Sequence, residues 1–556
     1  MTSVLNYIKM AAVSVFTIAF ISSCHDTKTE EDNRTVFNYN EIAGITSLDP
    51  ASANNTEDIW AVNQLFNGLV QMNDSLKVVP SVAKKWYISD DGLTYTFILR
   101  NDVFFHDDKC FENEKGRKVT SKDFVFSFNR LYDPRVSSAV SLLSNIDRSE
   151  KTNYKGFSAP DDSTFIIYLK EPFSAFLSVL TTKYFSVLPF EATDKYGQDF
   201  RRNPVGSGPF KFKLWEEGTK LVLLKNDHYF EFEGTNRLPY LDAVTISFVK
   251  DKETAFMELL NGKYDMLSGA DAFNINDVLD KNGNLQPVYA EKFILQKQTF
   301  LKTDYLGMLI DDNMELVKKS PLRIKALRKA INYGFDRVKM VKFFRNNIGY
   351  PATAGFIPNG LPSFDDKIVK GYTYNPEKVR QLLIEAGYPD GKGLPEITLH
   401  TTDNYLEQTE FIQSQLAENI INVQISVDKA SVLRQAVASC EYNFFKKSWV
   451  GDYADEENFM SLFYSKNFAP VGSNYTHYKN PEFDILFEKV IREQNRDVKN
   501  TLYQKMDQML IDDAPIVPLY YDQVIRLVHK NIRDLNTNPM NLLNLKLVKK
   551  TPKKEL

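Results

Sequence analysis

The chain has 556 residues, 43% of them hydrophobic and 25% charged, with a formal net charge of -4. That length exceeds what one hydrophobic core serves, so two or three domains are expected, and the composition excludes both a disordered chain and a multi-span membrane protein. The charge balance leaves no basic footprint for nucleic acid, and the six histidines never recur at a metal-ligand spacing, so neither nucleic acid nor a metal or other cofactor is expected as a partner.

The first predicted element is a targeting segment. Lys9 precedes the apolar run "MAAVSVFTIAF", too short to span a bilayer but of the length of a signal-peptide core. The run ends in "ISSC", small residues before a cysteine as in a lipobox, with Ile21 where leucine is usual. Residues 1–24 therefore read as a lipoprotein signal peptide, Cys24 as the lipidated residue, and 25–33 as a polar tether. A buried cysteine behind an ordinary signal is the alternative. Cys110 and Cys440 lie far apart, and two buried unpaired thiols are expected.

Alternating runs at 93–100 ("LTYTFILR"), 163–170 ("STFIIYLK") and 219–225 ("TKLVLLK") predict strands bounded by turn signals. In "NPVGSGPF" (203–210), Gly206 and Gly208 free the backbone while Pro204 and Pro209 stiffen it. A sharp turn with exposed amides follows, serving either as a structural corner or, through Gly206, Ser207 and Gly208, as a ligand contact. Two helices are capped alike: Asn375-Pro376 opens one with the stripe Val379, Leu382, Leu383, Ala386, and Asn480-Pro481 opens one with Phe483, Leu486, Phe487, Val490. Both stripes read as core. Between them run strand 395–401, helix 407–420 and strands 422–427 and 442–449, an α/β order in which ligands meet the carboxyl ends of strands.

The loop after the last of these strands, "WVGDYADEENF" (449–459), crowds Asp452, Asp455, Glu456 and Glu457 beside Trp449 and Tyr453. A single-sign cluster of this kind calls for a cation. Asp455, Glu456 and Glu457 read as a solvated acidic face, and Asp452 as the residue with a task.

Taken in order, "SLDP" (47–50), "LFNGLV" (65–70), the block 80–108, "KDFVFSFNRLYDP" (122–134), "NPVGSGPFKF" (203–212), "LLNGKYDM" (259–266), "ALRKAINYGFDR" (326–337), "IGYPATAGFIP" (348–358), "YNPEKVRQLLIEAGY" (374–388), the 449–459 loop and "DDAPIVPLYY" (512–521) resemble the extracytoplasmic solute-binding proteins of peptide-type ABC importers, the oligopeptide- and dipeptide-binding family 5. The resemblance implies an α/β clamshell of two lobes with an additional domain inserted in the first. Lobe I would comprise 34–70, 200–298 and 519–550, the extra domain 71–199, and lobe II 299–518. Two crossings between lobes make a hinge.

The resemblance also implies roles. The pattern Trp-x-x-Asp matches Trp449 and Asp452, and an aspartate there receives the α-amino group of a peptide. Lys446 stands where oligopeptide-binding members can carry an arginine for a ligand carboxylate, keeping the charge without the bidentate fork. The segment 400–408, where dipeptide binders place such an arginine, has none, which favours oligopeptides. Asp58 falls near another cleft acid of the family. The implied protein is a monomeric, lipid-anchored, non-catalytic capture component on the periplasmic side of a bacterial membrane, with a peptide ligand and an ABC permease as partners. Two other classes stay open: a glycoside or peptide hydrolase using carboxylates such as Asp452 and Asp455, and a chaperone-like surface lipoprotein that binds extended chains.

Overall fold

The computed structural model describes residues 34–137, 139–149, 155–269 and 272–551. The signal-peptide segment, Cys24 and the tether lie outside the described residues.

The strands that matter for the site are, in chain order, β1 (Val36–Asn40), β2 (Ala83–Ile88), β3 (Thr94–Leu99), β4 (Phe157–Asp161), β5 (Thr164–Tyr168), β6 (Phe210–Glu216), β7 (Lys220–Lys225), β8 (Ala243–Ser247), β9 (Met266–Ser268), β10 (Phe293–Met308), β11 (Tyr350–Pro351), β12 (Ile397–Thr401), β13 (Val423–Val427), β14 (Phe444–Val450) and β15 (Ile516–His529). Among the described residues, eleven strands join in one mixed sheet in the order β13-β12-β14-β10-β15-β9-β1-β8-β7-β6, with β11 pairing β15 off the path. A separate four-stranded antiparallel sheet runs β2-β3-β5-β4. The α/β clamshell class expected from the sequence is the class observed: a large mixed sheet carried by two lobes.

β10 and β15 pair antiparallel along most of their length. Their ladder shifts register twice near the midpoint, first between Thr299 and Thr303 and again between Asp304 and Tyr305. Thr299 faces Gln523 and Thr303 faces Tyr521, so Phe300, Leu301 and Lys302 stand opposite Asp522 alone. Surplus residues of this kind bend a strand and release its peptide groups for other partners. The freed Leu301 N–H donates to Pro539 O at 2.8 Å, and the Leu301 carbonyl accepts from Gly451 N–H at 2.8 Å.

The core divides around this seam. One cluster joins the first half of the large sheet (Phe37, Leu221, Val244) to the four-stranded sheet (Phe97, Phe165). Another packs β12, β13 and β14 (Leu399, Val423, Phe444) against helices α2 (Pro376–Glu385) and α3 (Leu406–Glu418). In α2, Asn375 caps by accepting from Lys378 N, and Val379, Leu382 and Leu383 are buried, as the spacing predicts. Within the 395–449 stretch the sequence reading passes over one helix, α4 (Ala430–Ala438), between β13 and β14, whose stripe is only Leu433, Ala436 and Val437. The second predicted cap holds too, with Asn480 accepting from Glu482 N and Phe483 N at the start of α5 (Pro481–Val490). The expected pair of buried thiols is half right. Both cysteines are free, but Cys110 is only half-buried.

Candidate ligand-binding site

Phe300, freed by the β10 break, borders a cavity of about 460 Å³, within the range typical of small-ligand sites, ~300–1,000 Å³. Its walls come from the start of α1 (Thr56–Leu65) with the residues just before it, Met72, the segments 139–142 and 181–184, Phe300, the 450–452 turn and Met540–Leu542. The charged residues among its lining are Asp452 and Lys183.

Asp452 sits just beyond the carboxyl end of β14, where α/β order places ligands. Three hydrogen bonds fix the turn: Gly451 N–H to Leu301 O, Asp452 N–H to Asn458 Oδ1 at 3.1 Å, and Trp449 Nε1–H to the same Oδ1 at 3.0 Å. One asparagine thus locks both members of the Trp-x-x-Asp pattern. The Asp452 carboxylate is solvent-accessible from the cavity and has no cationic partner among the described residues. Enclosure by protein raises its pKa, partly offset by the Asn458 amide, which marks an anion short of stabilisation.

The other three acids of the loop are not a solvated face, and that expectation is corrected. Asp455 accepts from Lys499 Nζ at 3.1 Å and from the Tyr503 hydroxyl at 3.3 Å. Glu456 is fully buried, holding Arg496 at 2.8 Å and accepting from Ser363 N–H at 2.9 Å. Glu457 accepts from the Tyr453 hydroxyl, and burial pushes its carboxyl up to about 7. Lys499, Tyr503 and Arg496 all lie on α6 (Arg496–Asp513), so this helix neutralises the inner side of the loop and leaves Asp452 alone facing outward. Tyr453, expected at the ligand, is buried with its hydroxyl committed to Glu457. Trp449 packs half-buried against a core cluster that includes Phe459 and Tyr503, so it supports the turn and does not line the cavity.

Lys446 does not face a ligand carboxylate either. Its ammonium is buried 2.5 Å from Asp304 Oδ1 and lies 3.8 Å from the centre of the Tyr405 ring. Asp304 also holds Lys302 at 3.2 Å, and Lys302 reaches Asp522 at 2.8 Å, which pairs in turn with Arg345. Burial alone would raise the Asp304 carboxyl, but Lys446 and Lys302 overcome it and hold the group at about 2. The sequence shows Lys446 but not its partner, 142 residues away.

Asp58 is also committed, because its carboxylate accepts from Thr46 N–H and Oγ1 and from Ser47 N–H, tying the 46–47 turn to the first turn of α1. The glycine turn proves to be a structural corner with buried amides. A Cβ on Gly206 would lie 2.0 Å from the Leu65 carbonyl oxygen, and one on Gly208 would lie 2.4 Å from the Leu65 carbonyl carbon. Gly208 N–H donates to Leu65 O, while its own carbonyl receives His106 Nε2 and Asn226 Nδ2. Ser207 is buried against Asn67 at 3.4 Å. Of the eight candidates, Asp452 alone lines the cavity. Sequence reasoning missed Asn458, which sits inside the quoted loop at the spacing of a turn-locking amide, and Lys183, which no motif marks.

Residues 77–470 match the bacterial extracellular solute-binding proteins, family 5 middle. The chain belongs to this family. Family 5 proteins are binding components of ABC importers, and the relatives of this one are extracytoplasmic or periplasmic. It is 28% identical over 504 residues to the glutathione-binding protein GsiB of Salmonella choleraesuis, covering 88% of this chain and 90% of that protein. Among solved structures, it is similar to the periplasmic binding protein DppA of Helicobacter pylori in complex with the peptide STSA, with a TM-score of 0.73, 26% identity and coverage of 93% and 98%. The periplasmic oligopeptide-binding protein OppAIV of Borrelia burgdorferi gives a TM-score of 0.70 at 25% identity, covering 93% of this chain and 100% of that one.

Proposed function

We propose that this family 5 protein captures short peptides with a free amino terminus in the cavity beside Asp452 and delivers them to an ABC permease from a lipid anchor at Cys24. The observation that carries the reading is the unpaired Asp452 carboxylate on the wall of that cavity. An ammonium seated there would supply the counter-charge that Lys499 and Arg496 supply to the inner acids. The relatives support the class of cargo, since one is named for glutathione, itself a tripeptide, and another was solved with the peptide STSA. The lobe boundaries expected from the sequence, with the crossover at 298/299, belong to the same proposal, and the β10 break at Phe300–Lys302 supports that crossover as the hinge.

A calorimetric panel of free di-, tri- and tetrapeptides, with reduced glutathione included, tests the reading. Binding should be comparable across neutral side chains, because a binder of many sequences holds main chain and termini. Failure of every peptide, with a non-peptide solute co-purifying by mass spectrometry, would overturn it. For the anchor, Cys24→Ser should move the protein from the membrane to the soluble or uncleaved fraction. Equal partitioning of both forms would remove that part of the proposal.

A further inference from the structure

If Asp452 takes the ammonium of a peptide, the carboxylate at the other end also needs a partner, and Lys446, the sequence candidate, is buried against Asp304. The other cations near the site are committed as well. Lys302 and Arg345 hold Asp522, Arg526 donates to Asn541 Oδ1, and Lys546 bridges Glu231 and Gln71. Lys183 differs. It opens a short helical turn (Lys183–Phe185) in the segment that joins the four-stranded sheet to the glycine corner, and it lines the same cavity as Asp452. Among the described residues no ion pair or hydrogen bond engages its ammonium. It also borders a second, smaller space next to Lys546 and Asp74. Burial and then the charge on Lys546 push its pKa down to about 8, so the ammonium gains whenever an anion joins it. Thr181 and Thr182 beside it spend their hydroxyls on Ser178 O and Val179 O, so neither offers it competition for an incoming carboxylate.

We infer that Lys183 receives a carboxylate of the cargo whose ammonium Asp452 holds, so that the cavity is built for a zwitterion and the segment next to the four-stranded sheet reads one of its ends. This inference rests on the peptide reading of the site. It assigns a specificity role to a residue outside the segments that carry the family pattern around Trp449.

Trialanine, its C-terminal amide and its N-acetyl form serve as probes, titrated into the full-length protein and into Lys183→Met and Lys183→Arg. Methionine keeps an apolar stem of similar length, so unchanged melting temperatures are expected. Amidation should weaken binding to the wild type by about 10- to 100-fold, and Lys183→Met should weaken binding of the free acid by a similar factor. The amide should bind wild type and Lys183→Met alike, and Lys183→Arg should restore most of the preference for the acid. An amidation penalty equal in wild type and Lys183→Met overturns the role of Lys183 while a large N-acetylation penalty leaves the peptide reading standing. If neither the acid nor the amide of trialanine or glutathione binds the wild type, the peptide reading falls and the inference with it.

Discussion

At the seam between β10 and β15, Asp304 and Asp522 are matched by Lys302, Arg345 and Lys446. Two residues away, Phe300 opens onto a cavity that holds one carboxylate and one ammonium with no ion-pair partner among the described residues. The two regions use the same residue types to opposite ends. In the seam every charge has its counter-charge within the fold, so the cluster fixes how the two strands meet. In the cavity the counter-charges are absent from the described residues, and Asn458 holds Asp452 in position through the backbone. Burial disfavours a lone charge, so a site that keeps one is poised to gain on binding what the seam has already gained on folding.

The sharpest way to break this contrast is Asp304→Asn. It leaves Lys446 and Lys302 enclosed with one carboxylate fewer, and removing one partner of a buried ion pair typically costs about 3–5 kcal/mol. Urea denaturation should show a loss of that order, with little change in the m-value. A loss below about 1 kcal/mol would mean that the seam is not held by its charges.

Asp452→Asn is the counterpart in the cavity, and its effect should fall on affinity. Stability should stay within about 1 kcal/mol of wild type, because no partner is orphaned. Affinity for a free-amine peptide should fall by about 2–4 kcal/mol, roughly 30- to 1,000-fold. N-acetylating the peptide should weaken binding to the wild type strongly and to the variant much less, since one interaction cannot be lost twice. Equal losses in both proteins would show that the amine is held elsewhere.

A smaller effect sharpens the comparison inside the 449–459 loop. Glu457 takes its ordinary value of 4.5 in the unfolded chain and about 7 in the folded one, so between those values the folded protein holds the extra proton. Its contribution is therefore full below about pH 4.5 and is lost as the pH rises through 7. Glu457→Gln keeps an acceptor for the Tyr453 hydroxyl and cannot ionise. The difference in unfolding free energy between wild type and variant should shift by about 1–3 kcal/mol in favour of the variant between pH 4.5 and 8. A pH-independent difference would mean that Glu457 is charged throughout.

The sequence by itself determined the local architecture and the family. Asn375-Pro376 and Asn480-Pro481 cap the helices they announce, and the stripes behind them are buried apart from the half-buried Leu486, because capping and helical periodicity are set within a few residues. The Trp-x-x-Asp pattern places Asp452 just past the carboxyl end of β14, on the wall of the cavity. What tertiary structure decided was the fate of each charge and each turn. Asp455, Glu456 and Glu457 look alike beside Asp452 in the sequence, and only the fold separates them: α6, some forty residues on, pairs Asp455 and Glu456, Glu457 turns inward to the Tyr453 hydroxyl, and Asp452 faces the cavity. Gly206 and Gly208 allow a close approach to Leu65, and Lys446 is consumed by an aspartate on a neighbouring strand. Lys183 has no local signature at all. Its role follows from sharing a cavity wall with a carboxylate 269 positions away (452 - 183). Ion pairing depends on distance through space, which the order of residues along the chain does not encode until the fold brings them together.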